Sequence, residues 1–233
     1  MLTIPFYVGF PIRSELGLDS FEHCLNKEHF KHYPKQITYI HNQRGFRDAE
    51  WPDDLSDVIW CVGDSFTKGI GQPFEETWPY LLEKKIGKRC LNLGEDGASN
   101  DTIALRAQEI YRVYKPKIIL IMWSYLWRRR IDGTDVLFDP KETGIDYVAD
   151  IDNFKINVQK ILDLNTKVIQ TTSCKVLDGY NEYPQYREKE VFKSIINPIQ
   201  QFDFARDYQH FDIITSQKFC DLFKDKINSL GNI

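Results

Sequence analysis

From residue 58 onward the chain alternates between short apolar runs and longer amphipathic stretches. The runs fall at residues 58–63, 89–93, 117–123 and 167–172. Two of them, Val58-Ile59-Trp60-Cys61-Val62-Gly63 and Lys117 to Trp123, carry almost no polar interruption. An apolar run too short for a helix reads as a strand buried on both faces, the pattern of parallel sheets. The stretches between them repeat their apolar residues at helical spacing. One helix is predicted over 76–87, with Thr77 as N-cap and Gly87 as stop. A second opens near Ser99-Asn100 and ends at the Lys115-Pro116 break, with Ile103, Ala107, Ile110, Tyr111 and Tyr114 on one face. A third covers 150–164 (Phe154, Val158, Ile161, Leu162), and the last covers 215–230 (Phe219, Leu222, Phe223, Ile227, Leu230). Strand–helix alternation of this kind predicts an α/β fold: a three-layer α/β/α sandwich around a central parallel sheet, flavodoxin-like in layout.

Three segments stand outside the alternation. Residues 1–56 mix turn residues and aromatics without a period, and are expected to form an N-terminal extension packed on a domain spanning 57–233. Residues 131–147 read as a loop or hairpin after the third strand. Residues 174–200, with Tyr180, Tyr183, Pro184 and Tyr186, read as a long connection, either a lid or a plain covering loop.

At 233 residues the chain is long enough to bury one sizeable core. Its formal charge of −4 lacks the basic surplus of a nucleic-acid binder. The five cysteines, Cys24, Cys61, Cys90, Cys174 and Cys220, show no paired spacing and suit a reducing compartment better than a disulfide framework. The first eleven residues lack a basic n-region and carry two prolines, so no signal peptide is expected there. The apolar run 118–127 is too short to span a bilayer. The expected setting is cytoplasmic, with no membrane or nucleic-acid partner. His23, Cys24, His29 and His32 lack metal-ligand spacing, so no metal is expected.

Chemistry concentrates at three places. The first strand stops at Gly63-Asp64-Ser65, where a bend exposes a hydroxyl and backbone N–H groups can face an oxyanion. A serine there needs a base within hydrogen-bond reach. Of five histidines only His210 lies downstream, and Asp207 precedes it by three residues. That pair can supply the imidazole and the carboxylate that orients it. The third place, Gly94-Glu95-Asp96-Gly97-Ala98-Ser99-Asn100, follows the second strand and opens a helix, with glycines that permit close approach to a substrate. Each has a plainer reading as an ordinary turn. Two familiar motifs fail: a nucleophile elbow needs glycine where Thr67 stands, and a phosphate-cradling loop needs Gly-Lys-Ser/Thr where Lys68 precedes Gly69.

Taken together, these segments resemble the SGNH hydrolases, the GDSL-like lipase/acylhydrolase family. Gly63-Asp64-Ser65 resembles the first block, Asn92 to Asn100 the second, and Asp207-Tyr208-Gln209-His210 the last. The stretch Asn42 to Pro52 resembles a lead-in found before the first strand in some members. The resemblance implies Ser65 as nucleophile, His210 as base, Asp207 as its orienter, and the Ser65 and Gly97 amides as oxyanion donors, with no cofactor. One block departs. Where the family carries Gly-x-Asn-Asp, this chain reads Met122-Trp123-Ser124-Tyr125-Leu126-Trp127-Arg128, with no asparagine. The Trp123 N–H, the Ser124 hydroxyl and the Asn100 amide are the candidates to replace that third donor. Loss of one such donor typically slows turnover about 10²–10³-fold. The basic cluster Arg128-Arg129-Arg130 reads either as a clamp for an anionic or sugar substrate or as a solvated strand end.

The implied activity is serine ester hydrolysis through an acyl-enzyme, on an O-acetylated carbohydrate or another small ester. Two rivals stand beside it: a catalytically weak or inactive SGNH-like module that binds a glycan or a partner, and a phosphate or nucleotide binder using the loop after the first strand.

Overall fold

The computed structural model describes residues 35, 37–137, 147–173, 193–196 and 199–231. The first strand, β1 (Ile59–Gly63), leads into a four-residue helix α1 (Ser65–Lys68) and a single 3₁₀ turn (Phe74–Glu76). Then follow α2 (Trp78–Ile86), β2 (Cys90–Gly94), α3 (Asn100–Tyr114) and β3 (Ile118–Trp123). A hairpin of β4 (Arg128–Ile131) and β5 (Thr134–Leu137) precedes α4 (Tyr147–Leu162), β6 (Lys167–Thr172), the two-residue β7 (Ile195–Ile196) and α5 (Ile213–Ser229).

The central sheet has the order β2-β1-β3-β6-β7, and every pairing within it is parallel. Alternate strand residues point to opposite faces. Trp60, Val62, Leu91, Leu93, Ile119 and Ile121 meet Ile103, Ala107 and Ile110 of α3 and Phe154, Val158 and Ile161 of α4. Ile59, Cys61, Leu120 and Met122 meet Trp78 and Leu82 of α2 and Phe219 and Phe223 of α5 on the other side. Two cores on one parallel sheet make a three-layer α/β/α sandwich, the expected fold class. β1 pairs with β2 on one side and β3 on the other, so successive crossovers leave it in opposite directions. The carboxyl ends of β1 and β3 therefore flank the crevice where α/β folds bind ligands.

Local signals account for the helix ends. Ser99 caps α3 by accepting from the Thr102 N–H, and Gly87 ends α2 in the left-handed conformation. Thr77 sits at the α2 N-cap position but makes no capping bond; its hydroxyl donates to the Phe74 carbonyl instead.

Four details differ from the sequence expectation. The hairpin begins at Arg128 rather than 131, α4 at Tyr147 rather than 150, and α5 at Ile213 rather than 215. The sheet gains a fifth strand, β7, inside the 174–200 connection; the tyrosines of that connection lie outside the described residues. Of residues 1–56, residues 35 and 37–56 are described. Phe46 is buried in the core on the α3 side, with Trp51 and Leu55 packed against it. His23, Cys24, His29 and His32 lie outside the described residues. Cys61, Cys90 and Cys220 are buried free thiols. No helix among the described residues is long and apolar enough to cross a membrane.

Candidate active site

β1 ends at Gly63, and the chain turns directly into α1 with Asp64 as N-cap and Ser65 as first helical residue. The following loop bends back through Gly69 and Gly71, both at positive φ. It meets the segment that precedes α5. The Arg206 N–H donates to the Gly71 carbonyl at 3.0 Å. The Gln72 side chain donates to the Phe211 carbonyl and accepts from the Ser216 hydroxyl at 3.2 Å. These bonds bring two segments about 140 residues apart in sequence into register.

Within the second segment, Asp207 folds its own turn. Its Oδ1 accepts the N–H groups of Gln209 and His210, both at 3.0 Å, and Tyr208, between Asp207 and Gln209, takes a left-handed φ of 59°. The turn leaves Asp207 Oδ2 at 2.5 Å from His210 Nδ1. His210 Nε2 then lies 2.8 Å from Ser65 Oγ. The imidazole packs on Phe66, with ring centroids 4.6 Å apart. Burial works to raise the Asp207 carboxyl, but the His210 contact and the two backbone N–H bonds outweigh it and hold the group below its usual range. An ionised carboxylate only accepts, so Nδ1 carries the proton and Nε2 presents a lone pair to the serine hydroxyl.

The loop after β2 is pinned beside β1 by the Glu95 N–H, which donates to the Gly63 carbonyl at 3.1 Å. Gly94 lies so close under α1 that a Cβ there would meet the Lys68 amide nitrogen at 2.1 Å. Gly97 has φ +74°, and its side-chain position faces open space. Among the described residues, neither the Ser65 nor the Gly97 amide donates to any acceptor.

The remaining candidates are held in internal bonds. Asp64 is fully buried. Its Oδ1 accepts the Phe66 N–H, while Oδ2 accepts the Ser124 hydroxyl at 2.5 Å and Arg128 Nη1 at 3.0 Å. Asn100 clips the end of β3: its Oδ1 accepts the Ser124 N–H at 2.8 Å, and its amide donates to the Ser124 and Tyr125 carbonyls. The Trp123 indole N–H donates to Gln170 at 3.0 Å. Each proposed substitute for the third oxyanion donor is thus bonded within the protein. Arg128 fits neither sequence reading: it is buried against Asp64, not solvated and not aimed outward. Arg129 pairs with Asp150, and Arg130 is exposed. Asp64 also weighs against a phosphate site at α1, because its carboxylate occupies the helix N-terminus that an anion would use.

Sequence reasoning missed Gln72 and the role of Arg47. Arg47 is 1% exposed, and its guanidinium donates to the Gly69 carbonyl and to the Gln72 carbonyl at 2.7 Å, fixing the loop behind the serine. Among the described residues, no group of three or more His, Cys, Asp or Glu is arranged to hold a metal ion.

No protein-family model and no curated protein matches the sequence. Solved structures do resemble the fold. A family two carbohydrate esterase from Clostridium thermocellum superposes with a TM-score of 0.54 at 15% identity, over 78% of this chain and 67% of that one. A family 3 carbohydrate esterase from the same organism gives 0.51 at 15% identity, over 76% and 100%. A G-D-S-L family protein from Desulfitobacterium hafniense gives 0.50 at 12% identity, over 71% and 97%. At such identities the likeness is one of architecture: the fold is of the SGNH hydrolase type.

Proposed function

We propose that the protein is a serine ester hydrolase. The observation that carries this reading is the His210 ring, which bridges Asp207 Oδ2 at 2.5 Å and Ser65 Oγ at 2.8 Å at the crevice end of an SGNH-type sheet. Ser65 Oγ attacks the ester carbonyl as its proton passes to His210 Nε2. The oxyanion is held by the Ser65 and Gly97 amides, which have no acceptor among the described residues. Collapse of the tetrahedral adduct expels the alcohol, protonated by His210, and leaves an acyl group on Ser65. Water deprotonated by His210 then releases the acid and restores the serine. The substrate class is a small ester, with O-acetylated carbohydrate the first choice because two of the similar folds are named carbohydrate esterases. Residues 37–56 belong to the same folding unit, since Arg47 and Phe46 bond and pack against it.

A second reading rests on a specific observation. Asn100, Ser124 and Trp123 are all bonded internally, which leaves two oxyanion donors and suits a binding module that has lost turnover. The two readings separate on reaction with a fluorophosphonate probe, together with hydrolysis of p-nitrophenyl acetate and of acetylated sugars. The hydrolase reading expects labelling and turnover in the wild type, both abolished in Ser65→Ala and His210→Ala. A folded wild type that neither labels nor hydrolyses any of these esters overturns it in favour of the binding module.

A further inference from the structure

We propose that Arg128 is a positioning residue for the nucleophile. Its guanidinium neutralises the Asp64 carboxylate directly behind Ser65, so that charge developing on a bound ester meets no uncompensated negative charge. The proposal rests on the ester-hydrolase reading above.

Asp64 is the chain neighbour of Ser65 and is completely buried. A carboxylate in that place is the wrong sign for a site that must stabilise an oxyanion: like charges in a low-dielectric interior repel far more strongly than in water. Three donors converge on it. The Phe66 N–H satisfies Oδ1. The Ser124 hydroxyl and Arg128 Nη1 satisfy Oδ2, and Nη1 also donates to Ser124 Oγ at 3.0 Å. The three side chains form a closed triangle whose Ser124 corner is fixed by Asn100 through the backbone. Only one member is cationic. The Arg128 side chain is itself 9% exposed, so solvent does little to screen the pair.

Without Arg128, an ionised Asp64 leaves a bare charge beside the oxyanion and the imidazole. Protonated on Oδ2, it still accepts the Phe66 N–H at Oδ1 but must donate to Ser124 Oγ, which reverses that bond. Burial already pushes the Asp64 carboxyl up, and Arg128 is the strongest pull against that rise. Arg128 needs no contact with the substrate to act. Its effect runs through Asp64 to the Ser65 amide and hydroxyl.

The full-length protein is compared as wild type, R128M, R128K and D64N/R128M. The readouts are kcat and KM on p-nitrophenyl acetate and the second-order rate of fluorophosphonate labelling. R128M is expected to lower kcat about 10²-fold, in the range of a lost oxyanion donor, with KM changed by less than about threefold. R128K, which keeps the charge, restores most of that loss. D64N/R128M recovers at least about tenfold over R128M, because the charge to be balanced is gone. R128M within about threefold of wild type overturns the proposal, as does a double variant as slow as R128M, which would make Arg128 itself the donor. Should R128M fail to fold by circular dichroism, the double variant decides alone: activity within about tenfold of wild type supports the proposal, and a loss of about 10²-fold or more overturns it. Wild type that neither labels nor hydrolyses esters overturns the hydrolase reading and this proposal together, whereas the other negative outcomes leave that reading standing.

Discussion

Replacing Asp207 with asparagine removes one charge and changes almost no volume, and the surrounding bonds dictate what must follow. Three donors converge on the carboxylate: the Gln209 and His210 N–H groups on Oδ1, each at 3.0 Å, and His210 Nδ1 on Oδ2 at 2.5 Å. An asparagine offers one oxygen and one NH₂. If the NH₂ faces the turn, it opposes two buried N–H groups, and each unsatisfied donor costs about 1–3 kcal/mol. If it faces the ring, a single interaction changes sign, and this arrangement wins. The imidazole must then accept at Nδ1 and carry its proton on Nε2, which points an N–H at Ser65 Oγ and abolishes the base. The expected loss in kcat is about 10⁴-fold, the size of a wrong-tautomer defect in a serine triad, or about 5.5 kcal/mol at 1.36 kcal/mol per decade. KM should change by less than about threefold, because the ester is bound by other groups. Steady-state hydrolysis of p-nitrophenyl acetate, with fluorophosphonate labelling as a second rate, measures it. A folded D207N protein with activity within about tenfold of wild type would refute the relay. Stability gives an independent check. The Asp207 carboxyl is held low in the fold, so its contribution is present above the unfolded value near pH 4 and fades as pH falls through the folded one. D207N should therefore be less stable than wild type at pH 7, with the gap closing towards pH 3.

Four further substitutions probe the scaffold. Arg47→Met strips the Gly69 and Gln72 carbonyls of a buried charged donor and should cost about 3–5 kcal/mol in urea unfolding at pH 7; a loss below about 1 kcal/mol would mean that residues 37–56 are a dispensable cover. Gly94→Ala drives a Cβ to 2.1 Å from the Lys68 amide and should lower both stability and labelling of Ser65, by about 3 kcal/mol in stability. Gly97→Ala meets nothing within 4 Å and should lose only the roughly 1–2 kcal/mol of a left-handed non-glycine residue; equal losses at the two positions would contradict the packing described. Burial pushes the Asp48 carboxyl up to about 6, with Arg89 opposing. Its stabilising share is therefore full below about pH 4 and gone above about pH 6, a swing of about 3 kcal/mol. Asp48→Asn should flatten that part of the urea midpoint against pH, and an unchanged slope would count against it.

Much of the architecture was legible because a doubly covered parallel sheet writes itself as apolar runs separated by helical periods. The carboxyl ends of those runs then point to the chemistry. The Ser65–His210–Asp207 contact was legible for a narrower reason: one downstream histidine leaves little choice of partner for the serine, and Asp207 builds its own turn from neighbours two and three residues on. What escaped depends on contacts between distant polar residues. Trp127-Arg128-Arg129-Arg130 looks like a wet basic cluster, and nothing local marks Arg128 as the residue that turns inward to a carboxylate 64 positions away. Gln72, whose bonds reach Phe211 and Ser216, sits in a segment whose composition reads simply as turn. β7 has two residues and therefore no period to detect.

These hidden contacts converge on α1. A helix of four residues has no intrinsic stability, because its carbonyls and N–H groups outnumber the bonds it can make internally. Here the outside groups arrive from elsewhere in the chain. At the amino end, Asp64 accepts the Phe66 N–H and is itself balanced by Arg128 of the hairpin. At the carboxyl end, the Asn92 amide of β2 donates to the Thr67 carbonyl at 2.9 Å, and the Arg47 guanidinium takes the Gly69 carbonyl. An anion at the start and a cation at the end also match the sense of the helix dipole. Gly94 closes the underside, where no side chain fits. Ser65 is thus held by groups that come from outside its own turn, and this is what preorganisation requires. In the proposed hydrolase, a serine that must stay 2.8 Å from His210 through two chemical steps cannot depend on a helix this short to hold itself. Substitutions at Asn92 or Arg128 should accordingly slow the serine's reaction with a fluorophosphonate even where the melting temperature is nearly kept, because the groups they remove fix the orientation of Ser65 as well as contributing to the stability of the fold.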